Sequence, residues 1–192
     1  YILATMATKG RLKLNNFNPK DLALPLKLYK RMGLKIKKLS NSSYEIYCKS
    51  LKPIKKISTK EFPGYPTDLQ AQLIATQLKS GLKSKVVENI FENRFIHIPE
   101  LRRFGANLSI KGNTVIIDKT SNLLGAEVMA TDIRASFSLI IAAMMSKGKT
   151  VINRIYHLDR GYEDFDLKLK KCGVNISSCL LYTSDAADER SC

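Results

Sequence analysis

Met32-Gly33-Leu34-Lys35-Ile36, Phe104-Gly105-Ala106-Asn107-Leu108 and Cys172-Gly173-Val174-Asn175-Ile176 are three versions of one phrase. Each runs from an apolar residue through a glycine into an alternating apolar stretch, which reads as a helix stop followed by a strand. The glycines stand 72 and 68 residues apart. A second set, Gly10, Gly81 and Gly148, precedes them at spacings of 71 and 67, each after an apolar helix-like run. A period this long is one supersecondary unit of two helices and several strands, and three such units can close around one core. The fold class expected is α/β, with helices gathered inside or behind small mixed sheets and no doubly wound sheet. The repeats fall at about 1–50, 67–119 and 131–178. Junctions far apart in sequence then collect at one end of the fold.

Local signals place the elements. Helices are expected over 19–32, 68–78, 99–104, 132–145 and 161–172. Strands are expected over 11–14, 85–88 and 150–153. Hairpins are expected over 34–39 with 44–48, and over 107–110 with 114–118. Pro19 suits a first helical turn and Gly33 a helix stop. Residues 49–66, with Pro53, Pro63 and Pro66, read as a basic connector. Gly148-Lys149-Thr150 imitates the end of a phosphate-binding loop, but it follows a helix and Ala143 stands where that loop needs its first glycine.

Composition narrows the class. A hydrophobic fraction of 44% and a charged fraction of 26% are those of a soluble globular chain. The run Leu139-Ile140-Ile141-Ala142-Ala143-Met144-Met145 is too short to span a bilayer, so no membrane partner is expected. Tyr1 begins in the middle of an apolar pattern, so the chain reads as a fragment with more sequence upstream. Residues 179–192 continue no repeat and read as a translated sequencing adapter, a non-native tail. Outside it the cysteines are Cys48 and Cys172, and with two lone histidines they make neither a disulfide framework nor a metal site. A reducing cytoplasm is the compartment expected. The net charge of +15 raises nucleic-acid binding as an alternative. The lysines are scattered, however, and are not interleaved with aromatic platforms, so they read as a solvated surface.

Chemistry collects at the junctions. Thr67-Asp68-Leu69-Gln70 reads as a capping box, with Thr67 at the N-cap and Asp68 at the first helical position. Thr131-Asp132-Ile133-Arg134 starts the same way, and capping accounts for both aspartates. It does not account for Arg134, a cation in a first turn, which is better explained by an anion held there. The strand-to-helix junctions read Glu88-Asn89-Ile90-Phe91-Glu92-Asn93-Arg94-Phe95-Ile96-His97 and Asn153-Arg154-Ile155-Tyr156-His157-Leu158-Asp159-Arg160-Gly161-Tyr162-Glu163. By the repeat, Asp68, Arg94, Asp132, Arg134 and Arg160 face one end and form a rim able to bind anions and move protons. The plainer alternative is surface pairing of Arg94 with Glu92 and of Arg160 with Glu163.

The wording of four segments goes further. These are Tyr65-Pro66-Thr67-Asp68-Leu69-Gln70-Ala71-Gln72, Phe91-Glu92-Asn93-Arg94-Phe95, Val128-Met129-Ala130-Thr131-Asp132-Ile133-Arg134-Ala135, and the stretch from Arg154 to Glu163. In order and spacing they resemble the UDP-N-acetylglucosamine 1-carboxyvinyltransferase (enolpyruvyl transferase) family across essentially all of 1–178. The shikimate-pathway sister family shares the repeats but not these words.

The resemblance implies a two-domain enzyme of inside-out α/β barrels, each of three βαβαββ-type repeats. It implies transfer of the enolpyruvyl group of phosphoenolpyruvate to the 3′-hydroxyl of UDP-N-acetylglucosamine, with release of phosphate, in bacterial cytoplasmic peptidoglycan synthesis. No cofactor or metal is implied. Asp68 matches the family's sugar-contacting carboxylate, proposed there as general base. Ile90 matches a backbone contact to the nucleotide sugar, with Phe91 beside it. Arg134 and Arg160 match arginines proposed there to hold the phosphate or carboxylate of phosphoenolpyruvate. Asp132 matches an acidic partner near the reacting carbon, and Arg94 a conformational or substrate-side arginine. The family's other domain brings a Lys-Asn pair, further arginines and a mobile loop with a proton-donating Cys or Asp, none of which is present. The 192-residue polypeptide alone is therefore expected to be inactive. The alternatives are a nucleic-acid-binding module or a non-catalytic paralogue on the same repeats.

Overall fold

Three helices pack side by side at the centre of the computed structural model, which describes residues 1–178: α1 (Ile2–Ala7), α3 (Gln70–Gln77) and α5 (Ile133–Met145). Every residue of α1 and of α3 is buried, as are most of those in α5. The apolar runs of α1 and α5 belong in an interior, whereas α3 buries Gln70, Gln72, Thr76 and Gln77 along with its apolar residues. Each is the first helix of one repeat, so the pseudo-threefold pattern of the sequence is realised with the helices innermost.

The strands lie outside. β1 (Arg11–Leu14), β3 (Tyr44–Tyr47) and β2 (Lys35–Lys38) make an antiparallel sheet in that spatial order. In β1 the exposed Arg11 and Lys13 alternate with half-buried Leu12 and Leu14, so one face meets the core and the other carries charge. The second repeat gives the order β4 (Lys56–Ser58), β5 (Ser84–Val87), β7 (Thr114–Ile117), β6 (Leu108–Lys111), with β4 parallel to β5 and the others antiparallel. The third gives β8 (Glu127–Met129) parallel to β9 (Val151–Asn153). The second helices of the repeats are α2 (Ala23–Arg31), α4 (Ile98–Arg103) and α7 (Phe165–Lys171), with a short α6 (Tyr156–Asp159) before the last. This is the expected α/β inside-out barrel.

The second helices stop as the repeated phrase predicts. Gly33, Gly105 and Gly173 all have positive φ. At two of these stops the bond pair is complete: Gly33 and Leu34 donate to Lys30 and Tyr29, and Gly173 and Val174 to Lys170 and Leu169. Gly33 is further constrained, because a Cβ there would stand 2.2 Å from the Ser50 carbonyl oxygen.

Four expectations need correction. The 19–32 helix is a 3₁₀ turn, Pro19–Leu22, followed by α2. Pro25 explains the break: in a continuous helix its missing N–H and its ring would oppose the Asp21 carbonyl, whereas in the first turn of α2 no partner is needed. The 49–66 connector holds β4, and β8 precedes α5 unforeseen. The 161–172 helix is shorter, α7 alone at Phe165–Lys171, with Asp164 at φ 47 just before it, and α6 is a separate unforeseen helix that ends ahead of Gly161. The capping box at Thr67 is absent: a 3₁₀ turn, Thr67–Leu69, leads into α3, and the Thr67 hydroxyl points elsewhere. The 179–192 stretch read as a tail lies outside the described residues.

Candidate active site

Asp132, not Thr131, is the N-cap of α5. Its Oδ1 accepts from the backbone N–H of Arg134 at 2.6 Å and of Ala135 at 2.8 Å. This cap fixes where the Arg134 side chain leaves the helix. Arg134 Nε then donates to Asp68 Oδ1 at 2.5 Å. Arg94 Nη2, from the β5–α4 junction, donates to the same oxygen at 2.8 Å. The anion expected near Arg134 is thus the chain's own Asp68, brought from 66 residues away.

The three side chains differ in access. Asp68 is 62% exposed while the Arg94 side chain is 19% exposed. The Arg94 guanidinium carbon lies 4.8 Å from the centre of the Phe91 ring, which shields it on one side. One carboxylate against two guanidiniums leaves the cluster net positive and open to solvent on the Asp68 side. The surface pairs considered from sequence do not form among the described residues: Arg94 turns to Asp68, and Glu163 pairs with Lys168 at 3.1 Å.

Arg160 ends α6 and is exposed. Its neighbour Gly161 lies against α5, since a Cβ there would meet Ile133 Cδ1 at 2.1 Å. Tyr162 stacks on Phe137 of α5, ring centres 4.5 Å apart, and accepts a hydrogen bond from Gln72 of α3. The 160–162 segment is therefore pinned to the start of α5, beside Arg134. Asp68, Arg94, Asp132 and Arg134 come together as the repeat argument expected. Arg160 stands at the same end without an ion-pair partner among the described residues.

Ile90 and Phe91 follow β5 and line an open groove of about 850 Å³ that also takes in Arg94, Ile110 and Asn113. The backbone N–H groups of both residues donate to Glu88 Oε1, at 2.9 and 3.3 Å, which fixes the backbone of the loop beside the groove.

Two residues of this end were not singled out from sequence. Glu88 is 2% exposed, and His97 is 1% exposed with an Nε2 that finds no hydrogen-bond partner among the described residues. Burial pushes the His97 pKa from 6.5 down to about 4; Asp132 pulls it up and Arg94 pushes it down. Both stand in the quoted junction, but only the packing shows that they are inside. Among the described residues no cluster of ligating side chains could hold a metal ion, and no helix is long and apolar enough to cross a membrane.

Comparison with known proteins fits this arrangement. The sequence model of EPSP synthase (3-phosphoshikimate 1-carboxyvinyltransferase) matches residues 1–169. The UDP-N-acetylglucosamine 1-carboxyvinyltransferase of Pelagibacter ubique (strain HTCC1062) is 48% identical over 178 residues, covering 92% of this chain and 42% of that protein. The enzyme of the same name from Helicobacter hepaticus (strain ATCC 51449 / 3B1) is 44% identical over 176 residues, again 92% and 42%. The chain thus spans about two fifths of the length of the curated relatives it matches. Among solved structures, the enolpyruvyl transferase NikO from Streptomyces tendae superposes with a TM-score of 0.78 at 23% identity, over 90% of this chain and 42% of that one. EPSP synthase from Acinetobacter baumannii gives 0.58 at 16% identity, over 79% and 37%. These likenesses are to transferases and not to nucleic-acid-binding proteins. By its sequence match and its inside-out repeats, the chain belongs to the EPSP synthase family of enolpyruvyl (1-carboxyvinyl) transferases.

Proposed function

We propose that the chain is part of a cytoplasmic bacterial enzyme that transfers the enolpyruvyl group of phosphoenolpyruvate to the 3′-hydroxyl of UDP-N-acetylglucosamine, releasing phosphate for peptidoglycan synthesis. The observation that carries this reading is Asp68 Oδ1 held between Arg94 and Arg134 at the joined ends of α3 and α5. The family's chemistry needs a base for an alcohol beside cations for a phosphate and a carboxylate.

In this reading Asp68 takes the proton of the sugar hydroxyl as its oxygen bonds to C2 of the enolpyruvyl donor. The double-bond electrons go to C3, which takes a proton from an acid on the other domain. The tetrahedral adduct then loses phosphate from C2 and a proton from C3, which restores the double bond as an enol ether. Arg134 and Arg160 hold the phosphate and carboxylate charges through both steps. Arg94, Ile90 and Phe91 serve the sugar side. Asp132 acts by capping α5 and setting the direction of Arg134.

In this structure Asp68 Oδ1 is occupied by Arg94 and Arg134. An anionic substrate that draws the arginines away frees Asp68 when it is needed, so donor binding and base release are coupled.

The test joins residues 1–178 to the remainder of the Pelagibacter ubique relative, in place of its own segment, and follows phosphate release. The hybrid turns over, and Asp68→Asn lowers kcat by about 10²–10⁴-fold. An active Asp68→Asn hybrid sinks the role of Asp68. An inactive but folded parent hybrid sinks the function. The 192-residue chain by itself is expected to show no turnover.

A further inference from the structure

Glu88 is a buried carboxylate with four donors. Oε1 accepts from the Thr59 hydroxyl at 2.8 Å and from the N–H groups of Ile90 and Phe91 at 2.9 and 3.3 Å. Oε2 accepts from the Thr67 hydroxyl at 2.8 Å. Thr59 in turn accepts from the Asn89 N–H at 2.9 Å. Four bonds satisfy a charge that burial would otherwise make costly. The residue stands where the parallel pair β4–β5 ends, with β4 continuing into Thr59 and β5 into Glu88.

The third repeat shows that the fold does not need it. There the parallel pair β8–β9 ends in the same way, with the Ala130 N–H donating to the Asn153 carbonyl as the Thr59 N–H donates to that of Val87. By that register Ala130 takes the place of Thr59 and Arg154 the place of Glu88. In the first repeat β1 ends at Leu14, so Asn15 takes it. Neither replacement is acidic, yet both junctions form. A buried acid confined to one of three equivalent junctions is answering to something other than barrel closure.

What it holds is specific. Through Oε1 it sets the backbone of Ile90 and Phe91, and so the ring against which Arg94 lies. Through Oε2 it holds Thr67, the residue before Asp68. We infer that Glu88 is a positioning residue for the nucleotide-sugar side of the site, fixing the 90–94 loop and the Asp68 turn at one mutual distance. This rests on the function proposed above, in which that loop and Asp68 meet the sugar.

The test uses the same hybrid protein with Glu88→Gln, Glu88→Ala and Thr67→Val. Glutamine keeps a carbonyl oxygen for the two N–H groups and is the conservative rescue; valine removes only the bond to Oε2. Kinetics are read with each substrate varied, and hydrogen exchange on the peptide covering 88–95. Glu88→Ala is expected to raise KM for UDP-N-acetylglucosamine by about 10–100-fold. KM for phosphoenolpyruvate should stay within about twofold, and exchange of the loop should quicken at least about tenfold. Glu88→Gln and Thr67→Val should fall between Glu88→Ala and the parent. Equal rises in both KM values, a fall in kcat with KM unchanged, or unchanged loop exchange would overturn the inference. If Glu88→Ala fails to fold, Glu88→Gln and Thr67→Val decide by the same criteria. Loop exchange that quickens in a hybrid unable to bind the nucleotide sugar sustains the anchor and sinks the proposed function instead.

Discussion

His97 sets a pH limit on the stability of this chain. Its ring is 1% exposed at the start of α4, and burial holds its pKa at about 4 against 6.5 for a free side chain. The charges that act on it come from Asp132 at the start of α5, which favours protonation, and Arg94 in its own junction, which opposes it. Above pH 6.5 the imidazole is neutral in both the folded and the unfolded chain, and stability does not depend on it. As pH falls from 6.5 towards 4, the unfolded chain takes up a proton that the folded one refuses, so stability drops. The gap of about 2.5 pH units corresponds to about 3 kcal/mol at 1.36 kcal/mol per unit, all of it lost by pH 4 and none further below. Urea unfolding of the 192-residue chain between pH 8 and pH 4 reads this directly, with His97→Gln as the non-titrating comparison. Carboxylates titrate in both proteins, so the difference between their curves isolates His97. The stability advantage of the histidine chain over the variant should shrink by about 3 kcal/mol across that window, or about 1–3 M in urea midpoint. Parallel curves would refute the reasoning, since they would mean that His97 is solvated or that a partner satisfies its charged form.

Two further substitutions test the packing beneath the site. Gly33→Ala places a Cβ 2.2 Å from the Ser50 carbonyl at φ 110, so thermal unfolding should show a loss of about 3 kcal/mol or more. A loss below about 1 kcal/mol would mean that the 48–50 backbone yields freely. Tyr65→Phe removes a hydroxyl that pairs with the buried Tyr29 hydroxyl at 3.0 Å and donates to the Leu69 carbonyl at 3.2 Å, just after Asp68. It leaves Tyr29 without its partner and should cost about 1–3 kcal/mol by denaturant melt, whereas an unchanged midpoint would show that the pair contributes nothing.

The parts legible in sequence are those decided within a few residues. Gly33, Gly105 and Gly173 mark helix stops because the stop needs a local left-handed residue, and the text shows it. α5 is legible because its apolar run is long. The three-residue strands β4 and β8 are not, because Lys56-Ile57-Ser58 and Glu127-Val128-Met129 hold too little pattern and their partners lie 24 or more residues on. Thr67 misleads for a related reason: it has the right neighbours for a capping box, but the buried Glu88 carboxylate, just past β5, captures its hydroxyl. At the site, the repeat was enough to gather Asp68, Arg94, Asp132 and Arg134. It could not say that Asp68 would hold both arginines, nor that Glu88 and His97 would be inside, because burial of a titratable group is decided by what packs over it.

An inside-out barrel leaves little choice about where its chemistry can be. Helices enclosed by sheets on every side have interior positions that reward apolar or small side chains, and a charge there would meet no water. α3 and α5 begin at the rim, where Asp68 is exposed and Asp132 half-buried, and acids are favoured there. Asp132 uses that place as a cap, and Asp68 uses it to face two arginines. The few polar groups tolerated below are put to related use. Gln72 lies in the interior of α3 with its Nε2 on the Tyr162 hydroxyl, and Tyr162 stacks on Phe137 one turn into α5. The loop bearing Arg160 is thereby held from beneath by both helices whose ends carry Asp68 and Arg134. Rim and interior form one mechanical unit, so a change in how α3 packs on α5 would move the acid and the arginines together.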